Sequence, residues 1–91
     1  MKERIRAIVT QHGRLTGNVT RLADTTDLYD AGMTSHGSVE LMIELEAAFE
    51  IEFPEHLITR HVFQSVATLE AAISSLLEER RLPFVAHADA S

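Results

Sequence analysis

The 91-residue sequence contains no cysteine. This absence excludes disulfide bonds, thiolate zinc sites and cysteine nucleophiles together. The sequence also lacks any apolar run close to the ~18 residues that a membrane span requires, and its first ten residues, MKERIRAIVT, lack the continuous apolar stretch of a signal peptide. We therefore expect a cytoplasmic protein with no membrane partner.

The chain is also short, and its length limits what it can build. Ninety-one residues correspond to about one domain, which buries only a modest core and leaves no room for a two-lobed catalytic cleft. We expect this domain to span residues 1–82. The small, mixed residues 83–91 have no pattern and predict a disordered C-terminal tail.

Basic residues are scarce and unevenly placed. The 8 Lys and Arg residues against 14 Asp and Glu residues give a formal net charge of −6, which argues against nucleic acid or an anionic membrane as a partner. No Lys or Arg occurs from Leu22 to Thr59. The ordinary interpretation of such a stretch is a solvated acidic face. Its carboxylates are those of Asp24, Asp27, Asp30, Glu40, Glu44, Glu46, Glu50, Glu52 and Glu55.

The hydrophobic pattern predicts an all-α domain. Helical periodicity is found over about residues 2–12, 35–51 and 66–81, and a weaker helical turn is expected over about residues 55–61. No segment alternates with period two for long enough to predict a strand.

Single residues near their ends predict where these helices begin and stop. Gly13 is a C-cap signal just past the first helix, and Pro54 stops the second. Ser65 is a suitable N-cap for the third helix. The segment 14–34 between the first two helices is long for a structureless loop, and its spaced apolar residues predict that it lies against the core. These residues are Leu15, Val19, Leu22, Leu28, Tyr29 and Met33.

The second helix has two apolar faces on a helical wheel. One broad arc, around Leu41 and Leu45, is sufficient to face the core. The opposite line consists of Val39, Ile43 and Ala47, and glutamates border it on both sides. We call this apolar line, together with the glutamates that border it, the acidic ridge. Either the helix is buried on both sides, or the ridge docks a partner through apolar contacts while the carboxylates attract basic residues.

Ser35 stands at the start of this helix, where a serine is ordinarily an N-cap. Its surroundings, DLYDAGMTSHGSVELM over residues 27–42, resemble the attachment site of acyl and peptidyl carrier proteins, which follows the pattern D-L-x-x-x-G-x-D-S-L-x-x-V-E-L. The resemblance continues through LEAAFEIEFP at residues 45–54 and FQSVATL at residues 63–69. Together the matching features extend over about residues 27–77.

The resemblance implies a four-helix bundle of the acyl carrier protein type, with three main helices, one short helix and a long loop between the first two. It implies that Ser35 carries a covalent 4'-phosphopantetheine, whose thiol supplies what a cysteine-free chain lacks. Such a protein is not an enzyme and has no catalytic residues. The positions implied to contact partner enzymes are Thr34, His36, Val39, Glu40, Ile43, Glu44, Glu46 and Ala47.

Two residues depart from the family pattern. Thr34 replaces the aspartate before the serine and is still able to cap the helix, whereas His36 replaces an apolar residue that modifying enzymes commonly contact. This substitution bears on which phosphopantetheinyl transferase modifies the chain. A protonated His36 is also a possible hydrogen-bond donor to the phosphodiester.

The segment of residues 34–37, TSHG, is similar to that of small discrete aminoacyl carrier proteins. In that group an amino acid:[carrier protein] ligase, a relative of class II aminoacyl-tRNA synthetases, loads the carrier. The resemblance thus implies a monomeric carrier of aminoacyl thioesters, whose partners are a phosphopantetheinyl transferase, this ligase and a downstream acceptor enzyme. Two alternatives are a fatty-acid or polyketide acyl carrier protein and an unmodified helical adaptor.

Two enzymatic or metal-dependent alternatives are disfavoured. The segment from Gly32 to Gly37 is one residue too long for the G-x-S-x-G elbow of a hydrolase, and no strand precedes it. His56 and His61 are five residues apart, which is not the spacing of a zinc-binding helix. We therefore predict neither hydrolysis nor a bound metal.

Overall fold

The computed structural model describes residues 1–13, 15 and 22–81. Three α-helices form the domain: α1 (Lys2–His12), α2 (Ser35–Phe49) and α3 (Val66–Arg81), and a 3-10 turn at Glu55–Leu57 lies between the last two. The described residues contain no strand, so the all-α prediction is confirmed. None of the helices within these residues combines the length and the apolar character needed to span a membrane.

The helix ends follow the local signals at most positions. The bounds of α1 and α3 agree with the prediction, and Ser65 caps α3 because its hydroxyl accepts the Thr68 N–H at 3.1 Å. The predicted end of α2 near Ile51 is wrong, since the helix ends at Phe49. Glu50 adopts a left-handed conformation with φ 55° while its N–H bonds to the Glu46 carbonyl, which turns the chain out of the helix.

The short turn before α3 is shorter than predicted. Its two hydrogen bonds run three residues back, from the Leu57 N–H to the Pro54 carbonyl at 2.9 Å and from the Ile58 N–H to the Glu55 carbonyl at 3.0 Å. Ile58 then leaves helical geometry with φ −88° and ψ 75°. The helical turn therefore covers residues 55–57 rather than 55–61.

The core lies where the three helices meet. Leu41 and Leu45 of α2 are fully buried, as the helical wheel predicts, and they join residues from both other helices. Burial of such side chains is the main favourable term in folding. The fully buried members from α1 and α3 are Ile5, Val9, Val66, Leu69 and Ile73.

The segment that leads into α2 also lies against the core. Leu22, Leu28 and Met33 are buried, and Leu15 and Tyr29 pack partly against the same cluster. The prediction for this segment is therefore confirmed at these five positions. Val19, the sixth, and the predicted tail at residues 83–91 lie outside the described residues.

Hydrogen bonds tie this segment to the chain before α3. The Leu28 N–H donates to the Gln64 carbonyl at 2.7 Å, and the Gln64 side-chain amide donates to Asp27 Oδ2 at 3.0 Å. Asp27 Oδ1 accepts the N–H groups of Tyr29 and Asp30. As a result, residues 27–30 are held against Gln64, just before α3.

Candidate functional site at the start of α2

Thr34, and not Ser35, caps helix α2. Thr34 has an extended backbone, and its hydroxyl accepts the Gly37 N–H at 3.0 Å. The prediction that Thr34 caps the helix is therefore confirmed, and the interpretation of Ser35 as the N-cap is wrong.

Ser35 is the first residue of the helix, and its side chain is exposed. Its backbone carbonyl accepts the Ser38 hydroxyl at 2.8 Å, but no hydrogen bond between described residues uses its own hydroxyl. The Ser35 hydroxyl is therefore accessible and is not required for capping.

The electrostatics at this end of α2 favour an anion. A helix N-terminus presents free N–H groups and the positive end of the helix dipole. The first turn of α2 contains no acidic residue that would already satisfy this end. The helix end would therefore stabilise a negatively charged group attached to Ser35, although several carboxylates are nearby in sequence.

Gly37 places the start of α2 directly on the end of α1. A Cβ atom on Gly37 would lie 2.7 Å from the Gly13 carbonyl oxygen and 3.4 Å from Cγ of Met33. Contacts of 2.7 Å do not occur for real Cβ atoms, so only glycine allows this approach. The close contact fixes the first turn of α2, and with it Ser35, relative to the rest of the domain.

His36 projects into solvent beside Ser35. Its imidazole Nε2 lies 3.4 Å from the carboxylate of Glu40, one helical turn later, and the side chain is 72% exposed. When His36 is protonated, this contact is an ion pair of the i, i+4 type. The structure therefore gives His36 a contact along the helix, on the edge of the acidic ridge.

The acidic ridge is a surface and not a second core face. Val39 is 50% exposed and Ile43 is 53% exposed, and Ala47 is exposed as well. The interpretation that α2 is buried on both sides is therefore wrong. Large apolar side chains that line up on one exposed helix face are typical of a docking surface.

The glutamates along the ridge have different roles. Glu44 approaches Nε2 of His12 at 3.8 Å with its side chain 45% exposed. Glu46 instead bonds within the chain, since its carboxylate accepts the Phe53 N–H at 2.9 Å. Glu46, which the resemblance implies as a partner contact, thus also holds the segment that follows α2.

A groove of about 260 Å³ opens beside Ser35, and the sequence did not predict it. Ser35 and Val39 of α2 line it, and so do Tyr29 and Arg60 from outside the helix. The Arg60 guanidinium carbon lies 4.1 Å from the centre of the Tyr29 ring, a cation–π contact. The only signal for Arg60 in the sequence is that it ends the long stretch without basic residues.

The described residues that surround Ser35 fit a phosphopantetheine group. An exposed serine hydroxyl is available for a phosphodiester bond, and the helix end favours the phosphate that this bond would place there. The part of the chain that the structure describes contains no group of three or more His, Asp or Glu side chains arranged to hold a metal ion.

Comparison with known proteins agrees with this site. Residues 3–73 match the family model described as "Phosphopantetheine attachment site". The chain is 41% identical over 78 residues to the aminoacyl carrier protein of Agrobacterium fabrum, a match that covers 86% of this chain and 94% of that protein.

Solved structures of carrier proteins are also similar. One is the Agrobacterium tumefaciens carrier protein in complex with an engineered Bradyrhizobium japonicum glycine:[carrier protein] ligase and AMP, with a TM-score of 0.77, 42% identity, and coverage of 81% of this chain and 99% of that one. A glycylated carrier protein bound to the Bradyrhizobium japonicum ligase has a TM-score of 0.65 and 32% identity, covering 78% and 95% of the two chains. The site and these similarities together show that the chain belongs to the phosphopantetheine-attachment family. It is a non-catalytic carrier protein related to the aminoacyl carrier proteins.

Proposed function

We propose that this protein carries an aminoacyl group as a thioester on a 4'-phosphopantetheine attached to Ser35, and delivers it between partner enzymes. The observation that carries the proposal is the exposed Ser35 hydroxyl on the first residue of α2, left uncommitted because Thr34 caps the helix. The match to the aminoacyl carrier protein of Agrobacterium fabrum also supports the proposal.

The chain's own residues hold and present the attachment point. When bound, the phosphopantetheine supplies the terminal thiol on which the aminoacyl group is carried. Gly37 fixes the first turn of α2 against α1, and the backbone N–H groups of that turn that Thr34 does not bond would stabilise the phosphate. The protein contributes position and charge, and its partner enzymes contribute the catalysis.

The acidic ridge is proposed as the surface that these enzymes recognise. Exposed Val39 and Ile43 offer apolar contact area, while Glu40 and Glu44 beside them attract basic surfaces and orient the encounter. Thr34, His36, Glu46 and Ala47 complete the proposed contact set. The partners are a phosphopantetheinyl transferase, an amino acid:[carrier protein] ligase and a downstream acceptor enzyme, and the carrier acts as a monomer in the cytoplasm.

The finer description of the fold follows from the same family. We propose that the 3-10 turn at Glu55–Leu57 takes the place of the short helix in a four-helix bundle of the acyl carrier protein type. The carrier domain would extend over residues 1–82, which include the matched residues 3–73.

The proposed cargo is tested by loading the purified holo-protein. The protein is incubated with ATP, a glycine:[carrier protein] ligase and either glycine or another single amino acid, and its intact mass is measured. We expect a mass increase of one aminoacyl group in the wild type and none in Ser35→Ala. A parallel sample receives malonyl or fatty-acyl donors with an acyltransferase. Acylation from these donors alone would show a fatty-acid or polyketide carrier instead.

A further inference from the structure

Arg60 is unusual both in its position in the sequence and in its location in the structure. It is the only Lys or Arg between residues 22 and 79, and the fold brings it to the groove that Ser35 lines. A lone cation in an acidic region therefore shares a groove with the proposed attachment point of an anion. The function proposed above does not use this residue.

The Arg60 side chain is held in place but keeps its hydrogen-bond donors. Its guanidinium lies against the Tyr29 ring, 4.1 Å from the ring centre, and the Tyr29 backbone N–H is fixed by Asp27 at 2.9 Å. A guanidinium that rests on an aromatic ring still has N–H donors at its edge. Among the ion pairs within 4.0 Å that join two described residues, none includes Arg60.

One carboxylate that interacts with Arg60, that of Asp27, already has hydrogen-bond donors of its own. Asp27 interacts electrostatically with Arg60, but its carboxylate accepts hydrogen bonds from the side chain of Gln64 and from the backbone of Tyr29 and Asp30. The guanidinium is exposed, and its planar donor fork matches the oxygens of a phosphate.

We propose that Arg60 is the intramolecular counter-ion of the phosphodiester on Ser35. Its guanidinium binds the phosphate oxygens and holds the phosphate end of the phosphopantetheine in the groove. This proposal rests on the attachment of phosphopantetheine to Ser35. An added anion in an acidic surface is repelled by the carboxylates around it, and a positioned guanidinium offsets that repulsion. The aminoacyl end of the arm stays outside this contact and remains available to partner enzymes.

The experiment compares apo- and holo-protein by NMR. Protein labelled with ¹⁵N is prepared with and without a coexpressed phosphopantetheinyl transferase, and intact mass confirms each form. In the wild type we expect the Nε–Hε resonance of Arg60 to shift on conversion to the holo form. We also expect the phosphodiester ³¹P resonance of holo Arg60→Gln to shift from its wild-type position.

Arg4→Gln is the matched control. Arg4 also lies over an aromatic ring, 4.9 Å from the centre of Phe49, but it belongs to α1 and does not line the groove. Holo Arg4→Gln should keep the wild-type ³¹P position. The dispersed amide spectrum of each apo-variant verifies that it folds.

The possible outcomes separate this proposal from the function on which it rests. If the wild type gains phosphopantetheine but neither the Arg60 nor the ³¹P resonance responds, the counter-ion role is wrong and the carrier function stands. Equal ³¹P shifts in Arg60→Gln and Arg4→Gln would also contradict the proposal, because they would reflect net charge and not contact. If the wild type gains no phosphopantetheine, the proposed function itself fails, and the role of Arg60 fails with it.

Discussion

Gly37 lies so close to Gly13 that a Cβ atom on Gly37 would stand 2.7 Å from the Gly13 carbonyl oxygen. This contact joins the end of α1 to the first turn of α2, and Ser35 is the residue that the first turn presents. In the sequence, Gly37 indicates a locally weakened helix start, which also fits a helix end adjusted for close approach. The structure shows that the glycine permits an approach of two backbones that positions the candidate attachment site.

Gly37→Ala should therefore destabilise the domain, although alanine is the better helix former. The backbone oxygen of Gly13 cannot rotate away as a side chain would, so the added methyl group displaces the helix start. We expect a loss of ~1–3 kcal/mol in the free energy of unfolding, measured by urea denaturation. Ser75→Ala, on the exposed face of α3, is the control and should change little. A stabilised Gly37→Ala variant would contradict the close approach.

The two residues at the start of α2 should differ in their effect on stability. Thr34→Ala removes the acceptor of the Gly37 N–H and should lower the free energy of unfolding by ~1 kcal/mol. Ser35→Ala removes a hydroxyl with no such role and should be close to neutral. Urea denaturation of both apo-variants checks the pair. A larger loss in Ser35→Ala than in Thr34→Ala would mean that Ser35 is the cap after all.

The acidic ridge is tested by one charged substitution. Ile43→Asp changes a side chain that is 53% exposed, so the free energy of unfolding should stay within ~0.5 kcal/mol of the wild type. The kcat/KM for loading by a partner ligase should fall about tenfold, which corresponds to ~1.4 kcal/mol of lost transition-state stabilisation. Ile73→Asp, at a fully buried position of α3, is the control and should unfold the domain. Unfolding of Ile43→Asp would show that the ridge is core.

The hydrogen-bonded carboxylate of Asp27 predicts a dependence of stability on pH. The Gln64 side-chain amide, followed by the Asp30 N–H, lowers the pKa of Asp27 below its ordinary value of 3.8. Because the folded-state pKa is lower than the unfolded one, the stabilisation is present above the unfolded pKa and is lost as the pH falls through the folded pKa. We expect stability to decline below about pH 4, as followed by urea denaturation at several pH values.

Two variants isolate this contribution. Gln64→Leu should move the pKa of Asp27 upward towards its ordinary value, as measured by NMR titration of the side-chain carboxyl. Asp27→Asn cannot titrate and should lose less stability on acidification than the wild type does. Equal acid-induced losses in Asp27→Asn and the wild type would assign the effect to other carboxylates.

The parts of the fold that were predicted correctly are encoded by neighbouring residues. Ser65 and Thr68 exchange hydrogen bonds across three positions, so the start of α3 can be recognised locally. The end of α2 differs, since Glu50 takes a left-handed conformation for which glycine or asparagine is the usual signal. No pattern in the sequence predicts this left-handed conformation at Glu50.

The candidate site shows the same division between local and long-range information. Ser35 could be identified from the residues around it, and the ridge of Val39 and Ile43 from helical spacing alone. The groove depends on Tyr29 and Arg60 meeting across a turn-rich part of the chain. Contacts between residues so distant in sequence leave no periodicity, and only the folded structure shows them.

Every role proposed for this protein depends on the attachment of phosphopantetheine to Ser35. The direct measurement is the intact mass of the protein coexpressed with a promiscuous phosphopantetheinyl transferase, together with Ser35→Ala and the matched serine variant Ser38→Ala. We predict one added phosphopantetheine in the wild type and in Ser38→Ala, and none in Ser35→Ala. A wild-type mass unchanged with every transferase tested, or an unchanged gain in Ser35→Ala, would contradict this attachment, the first result pointing to an unmodified helical adaptor.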